Sequence, residues 1–326
     1  MTESGGSVDR VSIPSSFLAT GNQYGDASYY ATLFATDVAE HLFPISGDLA
    51  YEPVFQLSSH DEHVGATMES AFHRYGSHGG YGQSLSAILS EFGNRTAQRL
   101  VLSGFQALEI APTIDANARP IGFSVLRING ARNFAGFTWQ VIPKDTLVGT
   151  DLRNLKPANQ RLIRIPRNRV VRMRLPRRYR GIPGGLEALG QMGGAVPDFV
   201  IRSLHPNQTH KVPYDLEELK GIEQRAVASI TKSTGWSGRW AFDDAVTRYY
   251  TMRRFLRFEE FKVRLREAVA DTINRILTVA GASVGFAAKI SLHHLPRLEE
   301  IEDSRSDLAA GRLGYREMLD RYSIHR

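Results

Sequence analysis

The chain has no cysteine, so disulfides and thiolate metal sites are excluded by composition and nothing argues for an oxidising compartment. It reads as a chain that works, or is assembled, inside a cell. No run reaches the roughly 18 apolar residues a membrane span needs. The nearest, ILTVAGASVGFAA at 276–288, is too short, follows Arg275 and reads as buried. The opening MTESGGSVDRVSIPSS lacks the basic-then-apolar pattern of a secretory signal. None of the glycine clusters ends in GK[ST], so there is no P-loop to hold phosphate and magnesium. Nucleotide hydrolysis and nucleophilic cysteine chemistry are not expected, and no internal repeat is visible.

The most informative absence is local. RLIRIPRNRVVRMRLPRRYRGIPGG, residues 161–185, carries Arg161, Arg164, Arg167, Arg169, Arg172, Arg174, Arg177, Arg178 and Arg180 without one carboxylate. A merely solubilising surface mixes lysine and acids, whereas arginine keeps its charge and presents a planar fork of donors matched to phosphate and carboxylate. A solvated strand face is the plain alternative to a phosphate-facing surface. Only Tyr179 is near enough to interleave as a base-stacking aromatic, so contact with duplex backbone fits better than single-strand stacking. The acidic surface of a neighbouring copy is another possible partner.

What is present otherwise is ordinary. The chain has 326 residues, enough for one large domain or two interlocked ones, and 42% hydrophobic with 23% charged residues excludes wholesale disorder. The net charge of +6 is polarised along the chain, because Glu299, Glu300, Glu302, Asp303 and Asp307 make the C-terminal stretch locally acidic.

Periodicity organises the chain. Residues 1–25, rich in Gly and Ser, read as a mobile arm. The spacing of Tyr30, Leu33, Phe34, Val38 and Leu42 predicts a helix from Ala27 to Phe43, ended near Pro44. SLSAILSEFGNRTAQRLVLSGFQALEIAP predicts a helix running into a strand with the break at Gly104. Ile121–Ile128 and Phe134–Val141 alternate as short strands, as does Arg169–Leu175, with Val171, Met173 and Leu175 opposite Arg172 and Arg174. GIPGGLEALGQMGG reads as a short helical piece flanked by glycines. YDLEELKGIEQRAVASIT, 214–231, predicts an amphipathic helix with acids in its first turn, broken by STGWSGRW. From 241 to 280, Phe255, Phe258, Phe261, Leu265, Val269, Ile273 and Ile276 recur at helical spacing while Arg253, Arg254, Lys262, Arg264 and Arg266 take other faces, which predicts one long helix. A helical pair joined by GRLG follows.

His60, Asp61, Glu62 and His63, with His73 and His78, are weak metal candidates, because HDEH lacks the i, i+4 histidine pair of a helical zinc site. No metal and no cofactor are expected. His293 and His294 read as a strand or loop end rather than a general base. Trp236 and Trp240, beside glycines and just before the long helix, fit either core packing or a subunit contact.

The order of these segments resembles the portal proteins, or head-to-tail connectors, of tailed bacteriophages and gene transfer agents. The likeness runs over about residues 85–322. It rests on RLVLSGFQALEIAP, the IP step of WQVIPKDTL, the strand-to-glycine-helix passage RNRVVRMRLPRRYRGIPGGLEALG, and ASITKSTGWSGRWAFDDAVTRYYTMRRFLRFEEF with its turn and long helix. At the end, Asp307, Leu308, Gly311, Leu313 and Glu317 fit the D-L-x-x-G-x-[LI]-[ST]-x-x-E pattern, with Tyr315 where a small polar cap is expected. The short 192–214 interval leaves little room for a stem and clip.

The resemblance implies an α+β subunit divided into the arm, 1–25; a wing-like α/β region, 26–190; a reduced stem, clip-like and channel-loop region, 191–240; and the long helix with a crown-like helical end, 241–326. It implies a ring, a dodecamer in that family, that passes double-stranded DNA at the capsid vertex. The implied partners are the major capsid protein, a terminase motor that carries the ATPase, and head–tail adaptor or tail proteins. The implied location is the portal vertex of a virion or phage-like particle assembled in the host cytoplasm, with no membrane partner and no catalytic residue. Arg177, Arg178, Arg180, Lys232 and Arg239 are the DNA-channel candidates. Arg172, Arg174, Trp236, Trp240, Glu299 and Glu300 are the subunit-interface candidates. The alternatives are an enzyme acting on nucleic acid or a phosphorylated ligand through the arginine stretch and the HDEH loop, and a different capsid or adaptor component.

Overall fold

The computed structural model describes residues 29–39, 42–44, 53–59, 61, 63–73, 84–128, 131–134, 137–141, 147–148, 156–157, 162–193, 227–236 and 248–322. The architecture is α+β. In chain order it runs α1 (Tyr29–Ala39), β1 (Phe55–Ser59), α2 (His63–Phe72), α3 (Leu85–Ser103), β2 (Phe105–Ile114), β3 (Pro120–Ile128), β4 (Ala131–Phe134), β5 (Phe137–Val141), β6 (Leu147–Val148), β7 (Lys156–Pro157), β8 (Leu162–Pro166), β9 (Val170–Arg174) and α4 (Ile182–Gly193). Then come α5 (227–234), α6 (Arg248–Val284), β10 (Ala288–Leu292), α7 (Leu298–Ala309) and α8 (Tyr315–Tyr322).

Local chemistry sets the boundaries. The Ser84 side chain accepts the Ala87 N–H to start α3. Gly104, at φ 72°, ends it by donating its N–H to Leu100 O at 2.7 Å, a left-handed cap that a residue with a Cβ adopts at a cost. The break expected at Gly104 is therefore where the helix stops, and β2 begins one residue later. The 37 residues of α6 span about 56 Å at helical rise. Gly285, at φ 96°, closes α6 with its N–H on Gly281 O at 2.8 Å.

Among the described residues all strand pairs are antiparallel. β2 is central in the sheet β3-β2-β9, with Leu108 opposite Val171 and Ala107 opposite Arg172. β5 is central in β4-β5-β8, with Trp139 opposite Arg164. β1 pairs with β10, tying the segment after α6 back to the first half of the chain, and β6 pairs with β7. In the 134–141 stretch, expected as one strand, Phe134 ends β4 and Phe137–Val141 is β5, and the two strands pair antiparallel with Phe134 opposite Phe137. In GIPGGLEALGQMGG, Gly181 precedes α4 as expected, while Gly184 and Gly185 lie inside the helix. Gly185 sits there because a Cβ would press on Ile230 at 3.3 Å.

The main core lies where α2, α3 and α6 cover the β3-β2-β9 sheet and α1 packs on α3 and α4. Phe34, Phe43, Phe72, Phe92, Phe261 and Leu265 are fully or almost fully buried in it. Val171, Met173 and Leu175 join it, as the alternation in Arg169–Leu175 requires. A second core, Met252, Leu256, Val263, Ile301, Leu308, Leu313, Met318 and Tyr322, packs α7 and α8 onto the first half of α6. A third, smaller cluster of Ala107, Ile128 and Ile165 joins the two three-stranded sheets. Hydrogen bonds pin the main core: the Asn94 amide accepts from Phe43 N at 3.0 Å and donates to Phe43 O at 2.8 Å, and Arg266 Nε donates to Leu42 O at 2.6 Å.

Candidate nucleic-acid interface

The arginine stretch folds as β8, a single 3-10 turn, β9, a second 3-10 turn at Arg177–Tyr179 and the start of α4. Its arginines divide by position. Arg172 bridges the two sheets, donating to Asn133 Oδ1 and to Thr138 Oγ1 at 3.1 Å. Partial burial, then the charges of Arg167 and Arg174, hold its pKa below the usual guanidinium value. Arg164 lies 3.7 Å over the Phe137 ring and Arg174 5.8 Å from the Phe105 ring. Arg167 and Arg177 are exposed and have no ion-pair partner among the described residues. Arg180 is exposed and donates Nε to Leu175 O at 3.4 Å.

Arg178 is different. It donates to Glu260 on α6 at 2.8 Å, and the same buried carboxylate accepts from Arg264 at 3.0 Å and from Arg305 on α7 at 2.5 Å. Glu260 is 2% exposed. Burial alone would raise its pKa, but hydrogen bonds from Arg305 and Arg264, with the charges of Arg305 and Arg178, bring it below the ordinary carboxylate value. Tyr179, edge-on to Phe261 with centroids 4.7 Å apart, shifts upward through burial and then the Glu260 charge. One carboxylate thus compensates one of three guanidinium charges.

Above this knot lies a cleft of about 420 Å³, lined by Arg178, Tyr249, Arg253, Arg257, Arg305, Leu308 and Ala309. Arg257 Nη1 donates to Lys232 O at 3.0 Å, which brings exposed Lys232 to the same region. Arg253 is exposed and has no hydrogen-bond or ion-pair partner among the described residues. The structure therefore unites Arg178 and Lys232 with Arg253, Arg257 and Arg305, whose gathering the sequence reading missed. The i, i+4 spacing of Arg253 and Arg257 on the long helix was the available signal. The approach of Arg305, on another helix, had none.

Trp236 belongs to the core. It is 3% exposed, donates Nε1 to Asp37 Oδ2 at 2.8 Å and meets Phe34 edge-on at 5.0 Å. Its indole is spent inside its own chain, which corrects its placement among the interface residues. Trp240 and Arg239 lie outside the described residues, as do most of the helix expected at 214–231, His60, Glu62 and His78. Asp61 Oδ1 accepts the His63 N–H at 2.9 Å at the start of α2. Among the described residues no group of three or more His, Cys, Asp or Glu side chains could hold a metal ion. No described helix is long and apolar enough to cross a membrane. His293 and His294 follow the end of β10. Glu299 and Glu300 sit exposed in the first turn of α7, at the far end of that helix from the cleft.

No family model matches the chain, and no curated protein is similar to it. Among solved structures, the chain is similar to one from the neck of an empty GTA particle computed with C6 symmetry, with 14% identity, a TM-score of 0.39, and coverage of 91% of this chain and 89% of that one.

Proposed function

We propose that this chain is a structural component of a phage-like particle and, more specifically, a portal-like ring subunit that conducts double-stranded DNA. The observation that carries the reading is the fate of the arginine stretch. Nine arginines without a carboxylate lie in 161–185, and when the segment folds, Arg167, Arg177 and Arg180 stay exposed without an ion pair among the described residues. A ring multiplies such a charge by its copy number and creates a sequence-independent field for the phosphate backbone. The order of helix, strand, arginine strand, glycine helix, long helix and terminal helical pair supports the same reading through the sequence resemblance.

In this mechanism no bond is made or broken. Arg177, Arg180, Lys232 and Arg239 meet phosphate, with Arg178 contributing only its exposed edge because Glu260 holds it. Contact is weak, since a tight grip would stall a moving duplex. Arg172 acts between the sheets of one subunit, and Glu299 and Glu300 act between subunits.

The test is retention of blunt-ended duplex DNA by the purified protein across a salt series. The proposal expects retention independent of sequence that falls as salt rises. Replacing Arg177, Arg180 and Lys232 by Gln should make that dependence shallower while the particle size stays unchanged. Retention that ignores salt, or that survives the triple variant unchanged, contradicts it.

A further inference from the structure

Two patches of opposite charge on this chain are left unmatched. One is the cleft of Arg178, Tyr249, Arg253, Arg257 and Arg305, where a single buried carboxylate faces several guanidinium groups and Arg253 has no partner among the described residues. The other is the N-terminal end of α7, where Glu299, Glu300, Glu302 and Asp303 are all exposed and none has an ion pair among the described residues. Glu299 and Glu302 line a second cleft with Glu267, where Arg297 is the only exposed cation. Burial and then Asp271 push Glu267 upward against the pull of Arg264. Glu299 and Glu300 favour the helix N-terminus by their charge, but Glu302 and Asp303 lie past the first turn and gain less from it.

The two patches do not pair with each other within one subunit. Arg305 lies only one turn beyond Glu302 on α7, yet it turns to Glu260, and none of Glu299, Glu300, Glu302 and Asp303 pairs with an arginine among the described residues. The second core clamps the helix onto α6 through Ile301 and Leu308, which holds the two faces in place. Complementary patches held rigidly apart on one chain make a head-to-tail contact, the heterologous kind that closes into a ring when its rotation allows.

We infer that the arginine cleft of one subunit receives the acidic N-terminal end of α7 from a second copy of this chain. The inference rests on the ring reading above and names the ring's contact surfaces. A concave site is suited to side-chain carboxylates that enter it, and guanidinium forks bind carboxylates in bidentate pairs. The acids complete a charge balance that Glu260 leaves unfinished. Arg172 and Arg174, on the sheet, take no part.

The test is charge reversal with mixing, read by mass photometry at low salt, with far-UV circular dichroism to verify folding. One variant carries Arg253→Glu and Arg257→Glu, the other Glu299→Lys and Glu302→Lys. Each alone should repel its own kind and run as a monomer. A 1:1 mixture should assemble to the wild-type mass, because every junction of an alternating ring is again complementary. Should either reversal disturb folding, Arg253→Gln and Glu302→Gln should each shift assembly to at least severalfold higher protein concentration. Variants that assemble alone as the wild type does, or folded variants that stay monomeric when mixed, overturn the inference while leaving the ring standing. A wild-type chain that is monomeric throughout overturns the ring reading itself.

Discussion

Glu259 and Glu260 are neighbours on α6, both almost fully buried, and they do opposite things. Helical geometry turns their side chains about 100° apart. Glu259 faces inward and pairs with buried Lys262 at 2.6 Å, near fully buried Arg266. Burial lowers the Lys262 pKa despite the attraction of Glu259, and burial lowers that of Arg266 to about 10. Glu260 turns toward the rim and gathers Arg178, Arg264 and Arg305 from the 3-10 turn, its own helix and α7. The first cluster spends its charge inside the subunit. The second joins three parts of the fold and leaves positive charge on the surface. A buried carboxylate can thus serve cohesion alone, or serve cohesion while presenting cations to something outside.

The comparison breaks most sharply on its inner side. Lys262→Met removes the partner that Glu259 holds at 2.6 Å and should cost about 3–5 kcal/mol, and Glu259→Leu with Lys262→Met should recover little of that loss, because fully buried Arg266 then loses the attraction of Glu259. Urea unfolding of the three proteins checks it. The wild-type pH signature has a definite sign: because the folded Lys262 pKa lies below its ordinary 10.5, the unfolded chain binds more protons there, and stability rises between the folded value and 10.5.

On the outer side, Glu260→Gln should cost less, about 1.5–3 kcal/mol, because its three arginines are each at least one-third exposed. Its pH signature runs from the acid side. The folded pKa lies below the ordinary 4.5, so the stabilisation is complete above that value and is lost as pH falls through the folded one. Thermal melts between pH 3 and 7 should show a smaller acid loss in the variant than in the wild type.

A smaller effect is expected at Trp236. Trp236→Phe keeps most of the ring's burial but removes the Nε1 hydrogen bond to Asp37, at about 1–2 kcal/mol by urea unfolding. The assembled particle should keep its size, because the indole is internal. The smallest stability effect belongs to Arg177→Gln with Arg180→Gln, within about 0.5 kcal/mol, as for surface changes away from structural contacts. The same variant should lower the slope of DNA affinity against salt by roughly 0.9 for each phosphate that it no longer neutralises.

Much of the fold was legible because periodicity and caps are local. The helix ending at Gly104 follows from a cap that a glycine supplies at low cost, and the alternation Val171, Met173, Leu175 finds one buried face because a strand has two faces. The terminal pair joined by GRLG folds as α7 and α8. The 134–141 region escaped because Phe134 and Phe137 continue the apolar pattern on both sides of Gly136, the one local sign of a break. The site was half legible. Arg178 stood out by composition, but its tie to Glu260 spans 82 residues and depends on how α6 crosses the sheet. Trp236 was ambiguous because the glycines beside it read equally as a flexible turn and as a tight one. The structure has the tight one: Gly235 sits at φ 85°, where any Cβ would strike the Arg254 carbonyl oxygen.

The central claim, a ring of subunits with a DNA-sized channel, is tested most directly by negative-stain electron microscopy of the purified protein viewed down the particle axis. The account predicts closed rings of many copies around a central opening wide enough for a duplex, about 20 Å or more across. A field of particles of single-subunit size, or open filaments without a closed form, would contradict it.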